Sequence, residues 1–216
     1  MIDVQMKVGT RVRGLRSVNL PYTIRLYGVT EEEFDQLVDE DTRAELLDGV
    51  MIVHSPASIS HDNLSGFLRA LMRCYTEERK LGWIFGPDSL IRLKPGRRVA
   101  PDTFFLERGR ISRRLPKQFE GAPDLALEVL SPSNRREDVE VKLPAYHAAG
   151  VREIWLIDPD KREVRVERRR GRGYVISRVT TGEVASGVIK GFWIDASWLW
   201  QEPLPNVMAC LRQILS

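Results

Sequence analysis

Two carboxylates in the sequence stand inside otherwise apolar, strand-like segments. Glu128 lies in the apolar run 125–130. Asp102 lies between apolar residues at 99–101 and 104–106. Burying a carboxylate without a partner is costly or raises its pKa, so each acid requires a partner. If the two strands are neighbours in one sheet, both acids can bind one hard cation such as Mg²⁺; the alternative is a purely structural ion-pair network.

A third candidate, Lys142, follows Glu128 by fourteen residues and lies on the next predicted helix. Asp138, Lys142 and Tyr146 are spaced four residues apart, so they share one face of that helix. A charged helix face is usually exposed to solvent. The helix comes directly after the Glu128 strand, however, which favours a lysine side chain that reaches back over the edge of the sheet.

Turn signals and hydrophobic periodicity predict the elements that position these residues. Asp48-Gly49 between two apolar segments predicts a hairpin turn with positive φ at both positions. Thr30 and Glu33 form a capping box and predict a helix at 31–38. A longer helix with one buried face is predicted from apolar residues at helical spacing, namely Leu64, Phe67, Leu68, Leu71 and Tyr75.

The order of the main predicted elements is that of a mixed α/β domain. The main elements are a hairpin across 44–53, a helix at 61–80, strands at 83–93, 99–106 and 124–130, a helix at 135–149, a strand at 153–157 and a second hairpin across 164–176. Pro144 removes one hydrogen bond from the helix at 135–149, so it predicts a kink or a first helical turn there.

Length and composition indicate a single, decorated, soluble domain. The chain has 216 residues, of which 43% are hydrophobic and 29% charged. Its apolar runs are far shorter than the roughly 18 residues of a membrane span. Cys74 and Cys210 are 136 positions apart and encode neither a disulfide framework nor a zinc site. We therefore expect a cytoplasmic protein.

The formal net charge of +3 conceals a segregation of charge along the chain. Residues 31–48 include nine acids and one base, whereas residues 92–117 include nine bases and two acids. Residues 161–178 include eight bases and two acids. The basic segments are either solvated faces or a surface that binds phosphates, and the small total charge does not distinguish these interpretations.

The chain also carries a series of short motifs in a characteristic order. They are Glu45-Leu46-Leu47-Asp48-Gly49, Ser55-Pro56, His61, Pro101-Asp102, Pro123-Asp124-Leu125, Glu128-Val129-Leu130-Ser131-Pro132-Ser133, Asp138, Lys142, Tyr146 and Gly150-Val151-Arg152-Glu153-Ile154-Trp155-Leu156-Ile157-Asp158-Pro159. Together they resemble the Uma-type putative restriction endonuclease family, a branch of the PD-(D/E)XK nuclease superfamily. The resemblance extends over 30–200 and is most specific across 128–159.

This resemblance implies a restriction-endonuclease-like α/β fold. Its αβββαβ core has a mixed sheet flanked by helices, and here an N-terminal helix and hairpin and a C-terminal β-hairpin would be added. Residues 1–29 would form a basic N-terminal extension and residues 30–216 a single endonuclease-like domain. The resemblance further implies hydrolysis of DNA phosphodiester bonds by in-line attack of a metal-activated water, with Mg²⁺, or else Mn²⁺, as the ion.

The resemblance also implies roles for the matching residues. Asp102, Glu128 and the backbone carbonyl of Val129 would be the metal ligands. Lys142 would orient or deprotonate the attacking water, or stabilise negative charge on the phosphate. Glu45 would bind the metal directly or through water, unless its place beside the hairpin turn leaves it exposed.

Three further positions complete the predicted site. His61 would contact phosphate or cap its helix, and Tyr146 joins it as a second-tier site residue. Leu130 stands where the superfamily motif has its lysine, two residues after Glu128. Because Lys142 occupies the matching place on the next helix, we interpret this departure as migration of the lysine.

The predicted partners are DNA and a second copy of the chain, since cutting both strands of a duplex requires two active sites. The competing functional hypothesis is a catalytically inactive nuclease-fold protein that acts as a nucleic-acid-binding or assembly module. Leu130 and the basic segments around Arg97 and 168–172 motivate this alternative. Metal-dependent cleavage distinguishes the two hypotheses.

Overall fold

A computed structural model describes residues 2–7, 22–39, 42–111, 114–132 and 134–216. Within the predicted N-terminal extension, residues 1 and 8–21 lie outside the described residues, as does Ser133 of the family motif. The described parts of the extension are two parallel strands, β1 (Ile2–Lys7) and β2 (Tyr22–Tyr27), of which β2 also pairs with the first predicted hairpin.

The remaining elements follow the predicted order closely. The strands are β3 (Ala44–Leu47), β4 (Val50–His54), β5 (Gly82–Phe85), β6 (Ile91–Lys94), β7 (Arg97–Val99), β8 (Thr103–Glu107), β9 (Phe119–Glu120), β10 (Leu125–Val129), β11 (Glu153–Asp158), β12 (Glu163–Arg170), β13 (Gly173–Val179), β14 (Glu183–Ala185) and β15 (Trp193–Asp195). The helices are α1 (Glu31–Leu37), α2 (Ile59–Glu78), α3 (Arg135–Glu137), a π-helical turn (Asp138–Lys142), α4 (Leu143–Ala149), a 3₁₀ helix (Ala196–Trp200) and α5 (Val207–Leu215).

These strands form two large sheets and one small one. A seven-stranded sheet has the order β1-β2-β4-β3-β7-β6-β9, and a six-stranded sheet has the order β13-β12-β11-β10-β8-β5. In the six-stranded sheet β10 and β11 are parallel and the other pairs are antiparallel. Read along the chain, α2, β5, β8, β10, α3 to α4 and β11 form the expected αβββαβ core. The predicted fold is confirmed.

Two predicted strands are wrong in one respect, because each is divided between the two sheets. The segment 83–93 contains β5 of the six-stranded sheet and β6 of the seven-stranded sheet. The segment 99–106 contains the end of β7 and most of β8, which also belong to different sheets. Pro87 and Pro101 lie at the two divisions, and proline cannot donate a ladder hydrogen bond. Each proline therefore favours a change of direction.

The local turn predictions are confirmed. Asp48 and Gly49 both have positive φ, 50° and 84°, as the tight hairpin between β3 and β4 requires. Thr30 and Glu33 form the reciprocal capping box of α1. The long helix begins slightly earlier than predicted, since the Ser58 side chain accepts the His61 amide and caps α2.

The helix predicted at 135–149 is interrupted before Pro144. The π-helical turn separates α3 from α4, and the Leu143 amide donates to the Asp138 carbonyl five residues earlier. Pro144 lies in the first turn of α4. Because proline has no amide hydrogen, the regular ladder breaks there. π-Helical turns are frequently found at functional sites.

The core covers both faces of β10 and β11. On one face, all five of the predicted apolar positions of α2 are buried against β10, β11 and the C-terminal elements. On the other face, Leu143 and Tyr146 of α4 pack against Ala126, Leu130 and Leu156. Glu128 therefore points, with Ala126 and Leu130, toward the helix that carries Lys142. Within the described residues no helix is long and apolar enough to cross a membrane.

Tertiary structure pairs the acidic segment with the first basic segment. Three acids of this segment, Glu31, Asp35 and Asp48, lie beside the arginines of β6 and β7. The pairs are Arg92 with Glu31, Arg97 with Asp48, and Arg98 with Glu31 and Asp35. These arginines are therefore engaged within the protein and are poor candidates for a phosphate-binding surface.

This pairing predicts an acid-sensitive contribution to stability from Glu31. Hydrogen bonds from Arg92, and further contacts with Arg98, outweigh burial and lower the pKa of Glu31 from 4.5 to about 2. Since the folded-state pKa is the lower one, the stabilisation is present at neutral pH and is lost as the pH falls from about 5 toward 2. We expect Glu31→Gln to lower the free energy of unfolding at neutral pH, with the difference from wild type closing across that range in urea titrations.

Glu32→Gln is the matched control, because Glu32 is an exposed neighbour in the same helical turn. Its difference from wild type should be small throughout. A pH-independent deficit of Glu31→Gln would contradict the ion-pair explanation.

Candidate active site

The chain passes from the seven-stranded sheet to the six-stranded sheet through residues 100–102, and the candidate site lies at this crossing. Glu45 on β3 accepts a hydrogen bond from the Ala100 amide at 2.7 Å. Glu128 on β10 accepts one from the Asp102 amide at 3.3 Å, and the Asp102 carboxylate accepts one from the Val129 amide at 2.9 Å. Carboxylates thus tie the crossing segment to both sheets.

A cavity of about 510 Å³ opens beside this crossing and is lined by Glu45, Asp102, Glu128, Asp138 and Lys142, among others. Each of these five side chains is almost completely buried, with at most 4% of the residue exposed. The alternative in which Glu45 is exposed beside its hairpin turn is therefore wrong, because β4 and β7 flank β3 on both sides.

Lys142 lies at the centre of the acidic cluster. Its Nζ is 2.7 Å from Glu128 Oε1, 3.2 Å from Asp138 Oδ1 and 3.3 Å from Glu45 Oε1. The alternative of an exposed, charged helix face is wrong, since Asp138, Lys142 and Tyr146 are all buried against the sheet. The helix following β10 does direct the lysine back toward Glu128, as its position in the sequence predicts.

The charges of the cluster are incompletely balanced. Burial raises the pKa of Glu45, but Lys142 and His54 outweigh it and lower the pKa to about 2. Burial and the charges of Asp102 and Glu45 raise the pKa of Glu128 despite Lys142. The same repulsion, added to burial, raises the pKa of Asp138 well above its ordinary value. The site therefore favours the uptake of positive charge.

Tyr146 and Asp138 complete the surroundings of the ammonium group. The Tyr146 hydroxyl donates a 2.5 Å hydrogen bond to Glu128 Oε1, the oxygen that Lys142 also contacts. Burial and the Glu128 charge raise the pKa of Tyr146 well above its usual range, so the hydroxyl keeps its proton. Asp138 Oδ2 is buried and has no hydrogen-bond partner among the described residues.

His61 faces the other side of Asp102. Its Nε2 lies 2.9 Å from the Val129 carbonyl oxygen and 3.2 Å from Asp102 Oδ2. Burial lowers the pKa of His61, but its contacts with Asp102 and Val129 raise it by more. Since Ser58 provides the side-chain cap of α2, the interpretation of His61 as the cap is wrong.

Three residues of the site were not predicted from the sequence. Arg43 contacts Asp102 Oδ1 at 3.2 Å, His54 contacts Glu45 Oε2 at 2.9 Å, and Asn134 donates to the Val129 carbonyl at 3.3 Å. The hairpin offered a signal for the first two. Counting outward from the two-residue turn places Arg43 opposite His54. His54 is then the diagonal cross-strand neighbour of Glu45.

The chemical type of the oxygen atoms in the site suits a hard divalent cation. These atoms are several carboxylate oxygens around one ammonium, and they include Asp138 Oδ2, which has no hydrogen-bond partner in the described part of the chain. Among the described residues, however, no three His, Cys, Asp or Glu side chains are spaced as a ready-made metal site. The Val129 carbonyl accepts hydrogen bonds from His61 and Asn134, and the Lys142 ammonium separates the carboxylates.

Comparison with known proteins identifies the fold and the family of the chain. The chain is similar to the crystal structure of a putative nuclease belonging to DUF820 from Anabaena variabilis ATCC 29413, with a TM-score of 0.70 and 19% identity over 80% of this chain and 97% of that one. The fold is thus a mixed α/β fold similar to that of this putative nuclease. The chain belongs to the Uma2 family, whose model, described as "Putative restriction endonuclease", matches residues 31–197. No curated protein matches the chain.

The central ion pairs make a prediction about stability. Lys142→Met leaves Glu45, Glu128 and Asp138 buried without their shared ammonium, so we expect the free energy of unfolding to fall by about 3–5 kcal/mol. Adding Glu128→Gln to Lys142→Met should recover part of the loss. Urea unfolding monitored by tryptophan fluorescence measures both effects.

Lys161→Met serves as the control, because Lys161 is exposed and its ion pair with Asp158 is long, at 3.8 Å between Nζ and Oδ2. It should change the free energy of unfolding by less than about 0.5 kcal/mol. Equal stability of Lys142→Met and Lys161→Met would show that the buried cluster does not depend on the ammonium.

Proposed function

We propose that this protein is a divalent-metal-dependent endonuclease that hydrolyses phosphodiester bonds of DNA. The placement of Lys142 carries the proposal. Leu130 occupies the position of the superfamily lysine, yet the ammonium of Lys142 reaches Glu128 from the following helix at 2.7 Å. The acids and the lysine that this chemistry requires therefore meet in one cavity, and both the family and the structural neighbour support a nuclease function.

Asp102, Glu128 and the Val129 carbonyl would hold the ion, with Glu45 close by. Mg²⁺ or Mn²⁺ bound there would lower the pKa of a water molecule and screen charge on a phosphate. Lys142 has three carboxylate acceptors, which hold it as an ammonium. We therefore assign it to stabilising negative charge and orienting water as a donor, rather than to acting as a base.

The neighbouring residues support these groups in different ways. Tyr146 fixes the Glu128 carboxylate through its 2.5 Å hydrogen bond, so it is a positioning residue. His61 and Arg43 flank the Asp102 carboxylate and present donors to the cavity. Both can contact a phosphate that approaches Asp102, because charged donors form strong hydrogen bonds with phosphate oxygens.

Cleavage provides the direct test of the proposal. The purified protein should nick or cut DNA with Mg²⁺ or Mn²⁺ and lose this activity in excess chelator. Asp102→Asn and Glu128→Gln should each lower the rate by at least about a hundredfold, because each removes a ligand or a fixed charge at the reacting phosphate. Supercoiled, linear and single-stranded DNA are the substrates.

Asp160→Asn is the control, since Asp160 is an exposed carboxylate that pairs with Arg135 outside the cavity. It should retain wild-type activity. Full activity of Asp102→Asn and Glu128→Gln would refute the proposed mechanism.

A homodimer is part of the proposal, because cleavage of both strands of a duplex requires two active sites. The six-stranded sheet ends in β13, an edge strand that exposes Val175 and Ile176. Exposed edge strands favour pairing with another chain. Light scattering of the purified protein should report the mass of two chains.

The second candidate function is a catalytically inactive protein that binds nucleic acid. The hydrogen bonds already accepted by the Val129 carbonyl, and the leucine at position 130, favour it. Salt-sensitive DNA binding without metal-dependent cleavage of any of the three DNA forms would support this function and contradict the endonuclease.

A further inference from the structure

The second basic segment, unlike the arginines of β6 and β7, keeps part of its positive charge unpaired within the described residues. It includes the tip of the β12–β13 hairpin, where Arg168, Arg169, Arg170 and Arg172 lie on either side of Gly171; we call these four side chains the arginine tip. Arg170 and Arg172 are exposed. Within the described part of the chain, no carboxylate lies within 4.0 Å of either guanidinium. Two positive charges are therefore available to a ligand.

The acid beside the arginine tip, Glu153, pairs with one of its four arginines. Glu153 binds Arg168 Nε at 2.9 Å, but both of its oxygens also accept other hydrogen bonds within the protein. The other donors are Trp155 Nε1, the Ser186 hydroxyl and the Gly187 amide. Within the described part of the chain, Arg169 donates to two backbone carbonyls, those of Gly150 and Gly171.

The arginine tip borders a shallow cavity of about 380 Å³ whose walls include Arg168, Arg169 and Arg170. Arg152 also lines it but is already paired with Glu107 and Asp124. Among the residues that the structure describes, Glu153 is the only acid that lines the cavity. Guanidinium groups recognise phosphate oxygens through paired, charge-assisted hydrogen bonds. The chemistry of this cavity therefore suits successive phosphates of a polyanion.

Strand register locates the arginine tip relative to the candidate active site. Glu128 on β10 pairs with Leu156 on β11, which pairs with Arg165 on β12. Arg170 lies five residues beyond Arg165 and two strands from β10, which corresponds to about 17 Å along the strands and about 10 Å across them. The tip is thus about 20 Å from Glu128, at the opposite end of the sheet.

We propose that the arginine tip is a second nucleic-acid-binding site, which holds backbone phosphates of the DNA that flanks the scissile bond. The inference rests on the proposed function for the identity of the polyanion. At about 3.4 Å per base pair, the separation from Glu128 corresponds to roughly six base pairs. Contacts at the tip therefore stabilise binding of long DNA and do not reach a short substrate held in the active site.

The test compares three proteins. They are wild type, the tip variant Arg170→Ser/Arg172→Ser and the control pair Arg73→Ser/Arg212→Ser. The control pair removes the same charge from exposed positions on α2 and α5. Binding is measured in chelator, where no metal-dependent cleavage occurs, with duplex and single-stranded probes of about 40 nucleotides. We expect the tip variant alone to lose roughly tenfold in affinity, and the slope of log K against log salt to decrease by about two.

Cleavage of a length series provides an independent readout. With long duplexes the tip variant should raise KM severalfold rather than lower kcat. With duplexes that extend fewer than about six base pairs beyond the cut, wild type and tip variant should have the same KM. A KM defect that persists in the shortest substrates would overturn the assigned location.

Failure of this inference and failure of the proposed function give different results. If wild type cleaves DNA and the tip variant matches the control in binding and KM, the inference is wrong and the endonuclease stands. If nothing is cleaved and the tip variant still loses affinity and salt dependence, the inference stands without the endonuclease. If polyglutamate displaces DNA as effectively as unlabelled DNA does, an acidic protein is the better ligand and the inference is wrong.

Discussion

The ammonium of Lys142 is the interaction on which the candidate site depends. It binds Glu45 from the seven-stranded sheet, Glu128 from the six-stranded sheet and Asp138 from the π-helical turn. Buried carboxylates repel one another strongly in a medium of low dielectric constant. A single cation at their centre therefore joins three elements that would otherwise be driven apart, and it does so where the chain crosses between the sheets.

Such a cluster is a poor way to stabilise a protein and a good way to bind a charged ligand. Buried ion pairs often contribute little net stability, because the desolvation of each charge opposes their attraction. Here the acids outnumber the central ammonium, the pKa of Glu128 is raised, and one oxygen of Asp138 has no hydrogen-bond partner among the residues that the structure describes. Buried charges and polar atoms without full partners lower stability, and they are characteristic of functional sites.

The basic segments at the surface also differ in how far their charge is paired within the protein. The sequence contains two basic segments of similar composition, but the arginines at 92–98 are neutralised by acids of α1 and of the β3–β4 turn. The arginine tip has Glu153 as its nearby acid, and that carboxylate is occupied inside the protein. Net charge and linear charge patterns do not separate these cases, because ion pairing depends on distances between residues far apart in the chain.

Local sequence signals determined much of this protein. Helical periodicity specified α2, Asp48-Gly49 specified a hairpin turn, and alternation placed Glu128 on the face of Ala126 and Leu130. Only the tertiary structure decided that two predicted strands divide between sheets, that Glu45 is buried and that Arg43 and His54 join the site. Propensity and periodicity act over a few residues, whereas burial and charge pairing are decided by contacts between distant segments.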